Sequence, residues 1–81
     1  MTLVQSLGEA SSLDTKTSEL AFIAVLAALG QTSGIPFHVM SALEKGSSRE
    51  EIISAILVGL PAAGHVVTQS LPAALQVLES S

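Results

Sequence analysis

Residues 14–30 read DTKTSELAFIAVLAALG, and this stretch decides the fold of the chain. Its apolar residues show no period-two alternation, which favours an α-helix over a strand. Asp14 is a good N-cap because its carboxylate can accept a hydrogen bond from an unpaired amide in the first turn. Gly30 supplies a C-terminal stop. We predict a helix from about Thr15 to Leu29, and because Ala21–Leu29 is apolar on every face, we expect it to be buried all round.

A second helix is predicted after the short connection 31–35. Pro36 suits a first helical turn, and Gly46 is a stop after the last turn at about Lys45. The inward residues of this helix are expected to be Val39, Met40 and Leu43.

A third helix is predicted to begin at Ser48, because Ser48 and Glu51 have the spacing of a capping box. Ser47 with Glu50 is the alternative register. The helix should end near Leu60 or Ala63 and should carry into the core Ile52, Ile53, Ile56 and Leu57.

A last helix is predicted over about His65 to Leu78, with a kink or a break at Pro72. Residues 1–12 are weakly patterned and are expected to form an N-terminal arm or a short helix, and residues 13–81 the helical domain. The predicted class is therefore all-α, a small domain of about four to five helices.

The composition indicates a single domain that assembles with itself. The chain has 81 residues, of which 48% are hydrophobic and 12% charged, and it has no cysteine. Disulfides and cysteine-based metal clusters are therefore excluded. A domain this short has more apolar residues than a small sphere can hide, so we expect an obligate homo-oligomer that buries apolar faces between subunits.

The charge pattern argues against nucleic acid and anionic membrane surfaces as partners. The net charge is −4, and the only cations are Lys16, Lys45 and Arg49, which are too few and too scattered for a phosphate footprint. We expect no secretory signal and a cytoplasmic location. A membrane span is the alternative explanation of the apolar composition, because segment 52–78 carries no formal charge. Pro61 and Pro72 interrupt this segment, so we expect no membrane partner.

Glu19 and His38 carry a family resemblance. Glu19 stands near the start of the first helix, Gln31 and Gly34 follow its end, and His38 comes four residues after Gly34. This order resembles the carboxymuconolactone decarboxylase and alkylhydroperoxidase D-like family, whose pattern is Glu, then Cys-x-x-Cys, then His. The join from Ala42 to Ile52 is similar as well, so the resemblance covers about residues 13–78.

The resemblance implies an alkylhydroperoxidase D-like fold that forms dimers, often assembled further into hexamers. In the thiol-bearing relatives, it implies, the glutamate and histidine help to deprotonate a cysteine, and in the decarboxylase-type relatives the histidine lies in the substrate pocket. Gln31 and Gly34 replace both cysteines here. Because thiolate chemistry needs a thiol, peroxidase activity of that type is excluded.

Two interpretations of His38 and Glu19 remain open. In the first, His38 is an acid/base catalyst, Glu19 orients it, and the pocket around a small organic ligand includes Gln31, Ser33 and Phe37. The reaction would be a decarboxylation or isomerisation without a cofactor, although no arginine is near in sequence to bind a carboxylate. In the second, His38 serves packing or a backbone hydrogen bond, Glu19 stabilises its own helix, and the protein is a non-catalytic oligomeric binding or scaffold domain.

Other chemistries have less support. Ser33 lies near His38 in sequence, but neither a third group nor a nucleophile-elbow pattern supports a serine nucleophile activated by this histidine. His65 could face the same pocket, another subunit or solvent. His38 and His65 lie on different predicted helices without close ligand spacing, so no metal site is predicted.

Overall fold

The structure is a computed structural model, and it describes residues 12–80. This part of the chain is helical and contains no strand, so the predicted all-α class is confirmed. The predicted N-terminal arm or short helix lies, apart from Ser12, outside the described residues. The helices are α1 (Thr15–Leu29), α2 (Ile35–Glu44), α3 (Arg49–Leu57), α4 (Leu60–Ala63) and α5 (Leu71–Ser80), with 3-10 segments at Thr32–Gly34 and Gly64–Ser70.

Helix α1 has the boundaries that its sequence predicts. The Asp14 carboxylate accepts a hydrogen bond from the Thr17 backbone N–H at 2.7 Å, which satisfies one amide of the first turn. The same bond lowers the pKa of Asp14, because it stabilises the charged carboxylate. At the other end Gly30 has φ 71°, a left-handed conformation that favours glycine, and its N–H bonds to the carbonyls of the last turn.

The expectation that α1 is buried all round is wrong for the single chain. Ile23 and Ala27 are fully buried, whereas Phe22, Val25 and Leu29 are exposed, Leu29 by 66%. Helices α2 and α3 and the segment Gly64–Ser70 contact α1. Their packing leaves one stripe of α1 uncovered, so its apolar residues face outward in the isolated subunit.

Helix α2 begins with Pro36 in its first turn and ends before Gly46, which has φ 94°. Its buried residues are Ile35, Val39 and Ala42, which share one face of the helix. The prediction that Met40 points inward is wrong, because Met40 is about 100° away from Val39 around the axis and is 54% exposed.

Helix α3 begins with the predicted capping box. Ser48 Oγ accepts from the Glu51 N–H at 3.1 Å, and the Glu51 carboxylate accepts from the Ser48 N–H at 2.8 Å. The alternative register is wrong, since Ser47 is buried before the helix. The helix ends at Leu57, earlier than predicted, and Pro61 lies in the first turn of α4. Ile52 and Ile56 are buried, while two further predicted residues pack against the core and are partly buried: Ile53 and Leu57.

The predicted last helix is divided in two, as Pro72 suggested. The segment Gly64–Ser70 has 3-10 geometry, and α5 begins at Leu71 with Pro72 in its first turn. Pro72 suits that place because its missing N–H has no partner in a first turn anyway.

The run Arg49–Ser80 has the length and composition of a membrane-crossing helix, with 32 residues and a mean hydropathy of 1.6 in its most apolar window of 18 residues. Only 17% of its most apolar window is buried inside the subunit. A straight helix of that length would measure about 48 Å, whereas the longest dimension of the molecule is 33 Å. The run is folded back on itself, since α3 contacts both Gly64–Ser70 and α5. The absence of a membrane partner stays a prediction.

Candidate functional site

Glu19 and His38 lie side by side at the contact between α1 and α2. Glu19 is in the second turn of α1, and His38 is in the first turn of α2. His38 Nδ1 and Glu19 Oε1 form a hydrogen bond, which becomes an ion pair when His38 is protonated. The Glu19 side chain is only 10% exposed, while that of His38 is 25% exposed. The packing of two helices thus joins two residues that are nineteen positions apart in sequence.

The second oxygen of the Glu19 carboxylate has two further donors. Ser41 Oγ and Lys45 Nζ each donate to Glu19 Oε2 at 3.0 Å. Lys45 Nζ also donates to Ser41 Oγ at 3.0 Å, which links the two donors to each other. The site is therefore a four-residue cluster of Glu19, His38, Ser41 and Lys45.

Sequence reasoning missed Ser41 and Lys45, although a signal for them existed. The positions 38, 41 and 45 are spaced by three and four residues, and residues with this spacing share one helix face. Once His38 faces Glu19, the other two side chains face it as well.

The surroundings of Glu19 favour its charged form. Burial alone raises the pKa of this carboxyl, but the hydrogen bonds from His38, Lys45 and Ser41 together outweigh burial and hold the pKa below its ordinary value of 4.5. Glu19 is a carboxylate at neutral pH, and a carboxylate only accepts hydrogen bonds. His38 Nδ1 must then carry the proton of their shared bond, which leaves Nε2 for other partners.

Two phenylalanines flank the His38 ring, and they are the only aromatic residues of the chain. The Phe22 ring centroid lies 4.5 Å from the His38 ring centroid, and the two ring planes make an angle of 43°. The Phe37 ring centroid lies 5.1 Å from that of His38, in an edge-to-face arrangement. Phe22 is 42% exposed and Phe37 is 71% exposed. Phe37 was predicted for the pocket. Phe22 was not, although it lies three residues after Glu19 and hence on the same face of α1.

The connection between α1 and α2 holds the other predicted pocket residues. Gln31 and Ser33 are exposed there, and within residues 12–80 neither hydrogen-bonds to Glu19 or His38. Gly34 is closer to the site, because a Cβ atom at this position would lie 3.9 Å from His38 Cδ2 and 3.3 Å from Leu26 Cδ1. The position of the second cysteine in the family pattern is thus a neighbour of His38.

His65 is not part of this cluster. It is exposed in the segment Gly64–Ser70, where its carbonyl oxygen accepts from Thr68 Oγ at 2.7 Å. Among the described residues, no group of three or more histidine, aspartate or glutamate side chains is arranged to hold a metal ion.

A separate shallow groove runs between α1 and α3. Its volume is about 510 Å³ and its walls are mostly apolar. It does not include Glu19 or His38, and it is lined by Thr17, Leu20, Ala21, Ala24, Glu50, Glu51, Ser54, Ala55 and Val58. Glu51, one of these lining residues, forms an ion pair with Lys16, with 2.9 Å between Lys16 Nζ and Glu51 Oε2. This groove is therefore not the pocket that was predicted at the junction of α1 and α2.

Comparison with a family model shows which family the chain belongs to. The model of the carboxymuconolactone decarboxylase family matches residues 1–79. Neither a curated protein nor a solved structure matches the chain significantly. The family match covers almost the whole sequence and includes all four residues of the cluster, while the chain itself has no cysteine. The chain therefore belongs to the carboxymuconolactone decarboxylase family, as a member without cysteine.

Proposed function

We propose that this protein catalyses proton transfer on a small organic molecule, with His38 as the acid/base and Glu19 as the residue that orients it. The reaction class is a decarboxylation or an isomerisation. One observation carries the proposal. A partly exposed histidine is hydrogen-bonded through Nδ1 to a nearly buried carboxylate. This arrangement fixes the tautomer that leaves Nε2 free to take or give a proton.

The surroundings of His38 suggest the kind of molecule that would bind. Phe22 and Phe37 both contact the imidazole ring and are themselves partly exposed. Lys45, the lysine of the cluster, already donates hydrogen bonds to Glu19 and Ser41 and is therefore engaged within the cluster. A small ligand with a planar, mostly apolar body fits these surroundings, and its acidic C–H or carboxyl-bearing carbon would lie against His38 Nε2.

The absence of cysteine restricts the chemistry further. The thiol peroxidase reaction of related proteins requires a sulfur nucleophile, and the chain has none. The proposed reaction needs only the imidazole and the carboxylate, and it requires no cofactor.

Proton exchange into substrates tests the proposal directly. A panel of small lactones and 2- and 3-keto acids is incubated with the protein in D₂O, and deuterium incorporation and CO₂ release are followed by NMR. We expect at least one compound to react, and we expect His38→Gln to reduce its rate by about 10²-fold or more. His65→Gln is the matched control, because it replaces the other histidine at an exposed position away from the cluster. Equal loss in both variants, or no effect of His38→Gln on a compound that reacts, would overturn the proposal.

The second candidate is a non-catalytic oligomeric binding or scaffold domain. The observation in its favour is the apolar surface on the same side as His38, formed by Phe22, Val25, Leu29, Phe37 and Met40. We name these five residues the apolar strip. A subunit partner that covers the strip would also cover His38. A panel without any reacting compound, together with a His38 ring closed to solvent in the assembly, would favour this candidate.

In either case we propose a homo-oligomer in the cytoplasm that is built from dimers, with a hexamer as the larger assembly that the resemblance implies. The support for self-association in either case is the part of the apolar strip outside the two phenylalanines, since Val25, Leu29 and Met40 are all more than half exposed and exposed apolar patches usually mark an interaction site. The number of subunits rests on the family resemblance.

A further inference from the structure

We infer that Lys45, together with Ser41, is a positioning residue that fixes the Glu19 carboxylate against His38. This inference rests on the proposed function of His38. It assigns a role to two residues of α2 that hydrogen-bond to Glu19.

The geometry of the carboxylate is the first argument. Glu19 Oε1 is bonded to His38 Nδ1, and Glu19 Oε2 is bonded to Ser41 Oγ and Lys45 Nζ, both at 3.0 Å. A rotation of the carboxylate about its Cγ–Cδ bond would move both oxygens out of place and would break all three contacts at once. Ser41 and Lys45 are also bonded to each other at 3.0 Å, so neither donor is free to swing away alone.

The shape of α2 is the second argument. His38, Ser41 and Lys45 occupy one face of the same helix, so their relative positions are set by the rigid helix backbone rather than by a loop. The helix presents three donors in a row to one acceptor on α1. A carboxylate held by three donors on a rigid element keeps the imidazole in a single orientation and tautomer.

Charge is the third argument. The elements that pack against α2 carry Lys16 and Glu19 on α1, Arg49, Glu50 and Glu51 on α3, and Glu79 on α5, while α2 and its C-terminal end carry His38, Glu44 and Lys45. Among these described groups, Glu19 and Lys45 form an ion pair within the cluster. Lys16 is paired with Glu51 instead. Lys45 is thus the cation that balances the Glu19 charge when His38 is neutral.

The consequence for the reaction concerns the proton on His38 Nδ1. While Glu19 is ionised, it accepts that proton's hydrogen bond and leaves Nε2 as the base. If the carboxylate turned away, Nδ1 would lose its acceptor and the useful tautomer would no longer be favoured. Lys45 and Ser41 hold the ionised carboxylate in place, so they keep the useful tautomer populated.

Substitution of the two lysines tests this role. Lys45→Met removes the cation and keeps the aliphatic chain, and Lys16→Met is the matched control with the same loss of charge from a surface ion pair. The ¹³C signal of the Glu19 carboxyl carbon is followed against pH in each full-length protein. We expect the pKa of Glu19 to shift upward in Lys45→Met and in Ser41→Ala, and to stay in place in Lys16→Met. Lys45→Arg, which restores a donor and a charge, should return the titration toward that of the parent.

Two further measurements separate positioning from a merely structural role. The ¹⁵N shifts of the His38 ring report which nitrogen carries the proton, and we expect a mixed tautomer population in Lys45→Met at neutral pH. On a reacting compound, kcat should fall in Lys45→Met, with KM changed less than kcat. Equal Glu19 titrations in Lys45→Met and Lys16→Met, with the His38 tautomer unchanged, would overturn the inference. If Glu19 and the tautomer respond as expected but His38→Gln leaves catalysis intact, the positioning role stands and the proposed function fails.

Discussion

At the scale of single residues, Glu19 holds the centre of the site. Its carboxylate is nearly buried, and it keeps its charge because His38, Ser41 and Lys45 all donate to it. A buried charge with too few partners would cost free energy or take up a proton. Three donors from α2 avoid that cost. Their bonds also hold the second turn of α1 against α2.

The depressed pKa of Glu19 predicts how stability depends on pH. A carboxyl whose pKa is lower in the folded state stabilises the fold above its unfolded value, and this contribution is lost as pH falls through the folded pKa. We expect Glu19→Gln to be less stable than the parent at pH 7, and the difference to shrink as pH falls below the ordinary value of 4.5. Urea unfolding of both proteins between pH 7 and pH 3 measures it. A difference that is constant over this range would contradict the prediction, and Glu44→Gln, an exposed residue on α2, is the control.

At the scale of elements, two glycines end the helices that carry the site. Gly30 follows α1 with φ 71°, and Gly46 follows α2 with φ 94°. Residues with a side chain rarely adopt such values. The two positions differ in their surroundings, because a Cβ atom at Gly30 would lie 3.1 Å from Val66 Cγ2, whereas a Cβ atom at Gly46 has nothing within 4 Å.

This difference predicts unequal effects of alanine at the two positions. Gly46→Ala should cost about 1–2 kcal/mol of unfolding free energy through backbone strain alone. Gly30→Ala should cost roughly 1 kcal/mol more, because Val66 must also move. Denaturant unfolding of the two variants checks the order. Equal losses would show that the contact with Val66 relaxes freely.

At the scale of the whole molecule, the apolar strip is the feature that most needs a partner. Val25 and Leu29 lie on the same face of α1 as Phe22, and Met40 lies one turn after Phe37 on α2. Phe22 and Phe37 both contact His38, so the two helix faces meet there. In one subunit this surface faces outward, and self-association would remove it from water.

Charges in the apolar strip should therefore weaken assembly without unfolding the subunit. We expect the parent to elute as an oligomer in size-exclusion chromatography with light scattering, and Leu29→Lys/Met40→Lys to shift toward the monomer, since both side chains are more than half exposed. Ser54→Lys/Ala62→Lys adds the same charge at exposed positions outside the strip and should leave the mass unchanged. A monomeric parent would contradict the prediction. A parent that needs detergent to stay in solution would favour the membrane alternative for Arg49–Ser80.

The sequence by itself determined both ends of α1 and the start of α3, because these depend on local chemistry. Asp14 and Gly30 bound α1, and Ser48 and Glu51 begin α3, through contacts within a few residues along the chain. Pro72 likewise marked the start of α5. The family pattern brought out Glu19 and His38 as a pair, since their spacing is itself a property of the sequence.

Only the tertiary structure decided which faces are covered and what completes the site. The inward direction of Met40 and the full burial of α1 were predicted wrongly, because an apolar residue looks the same in sequence whether it meets the core or a subunit partner. Ser41 and Lys45 joined the cluster only when α2 lay against α1. Local hydrogen bonds fix where a helix begins and ends, but its rotation and its neighbours are set by packing between residues that are far apart in the chain.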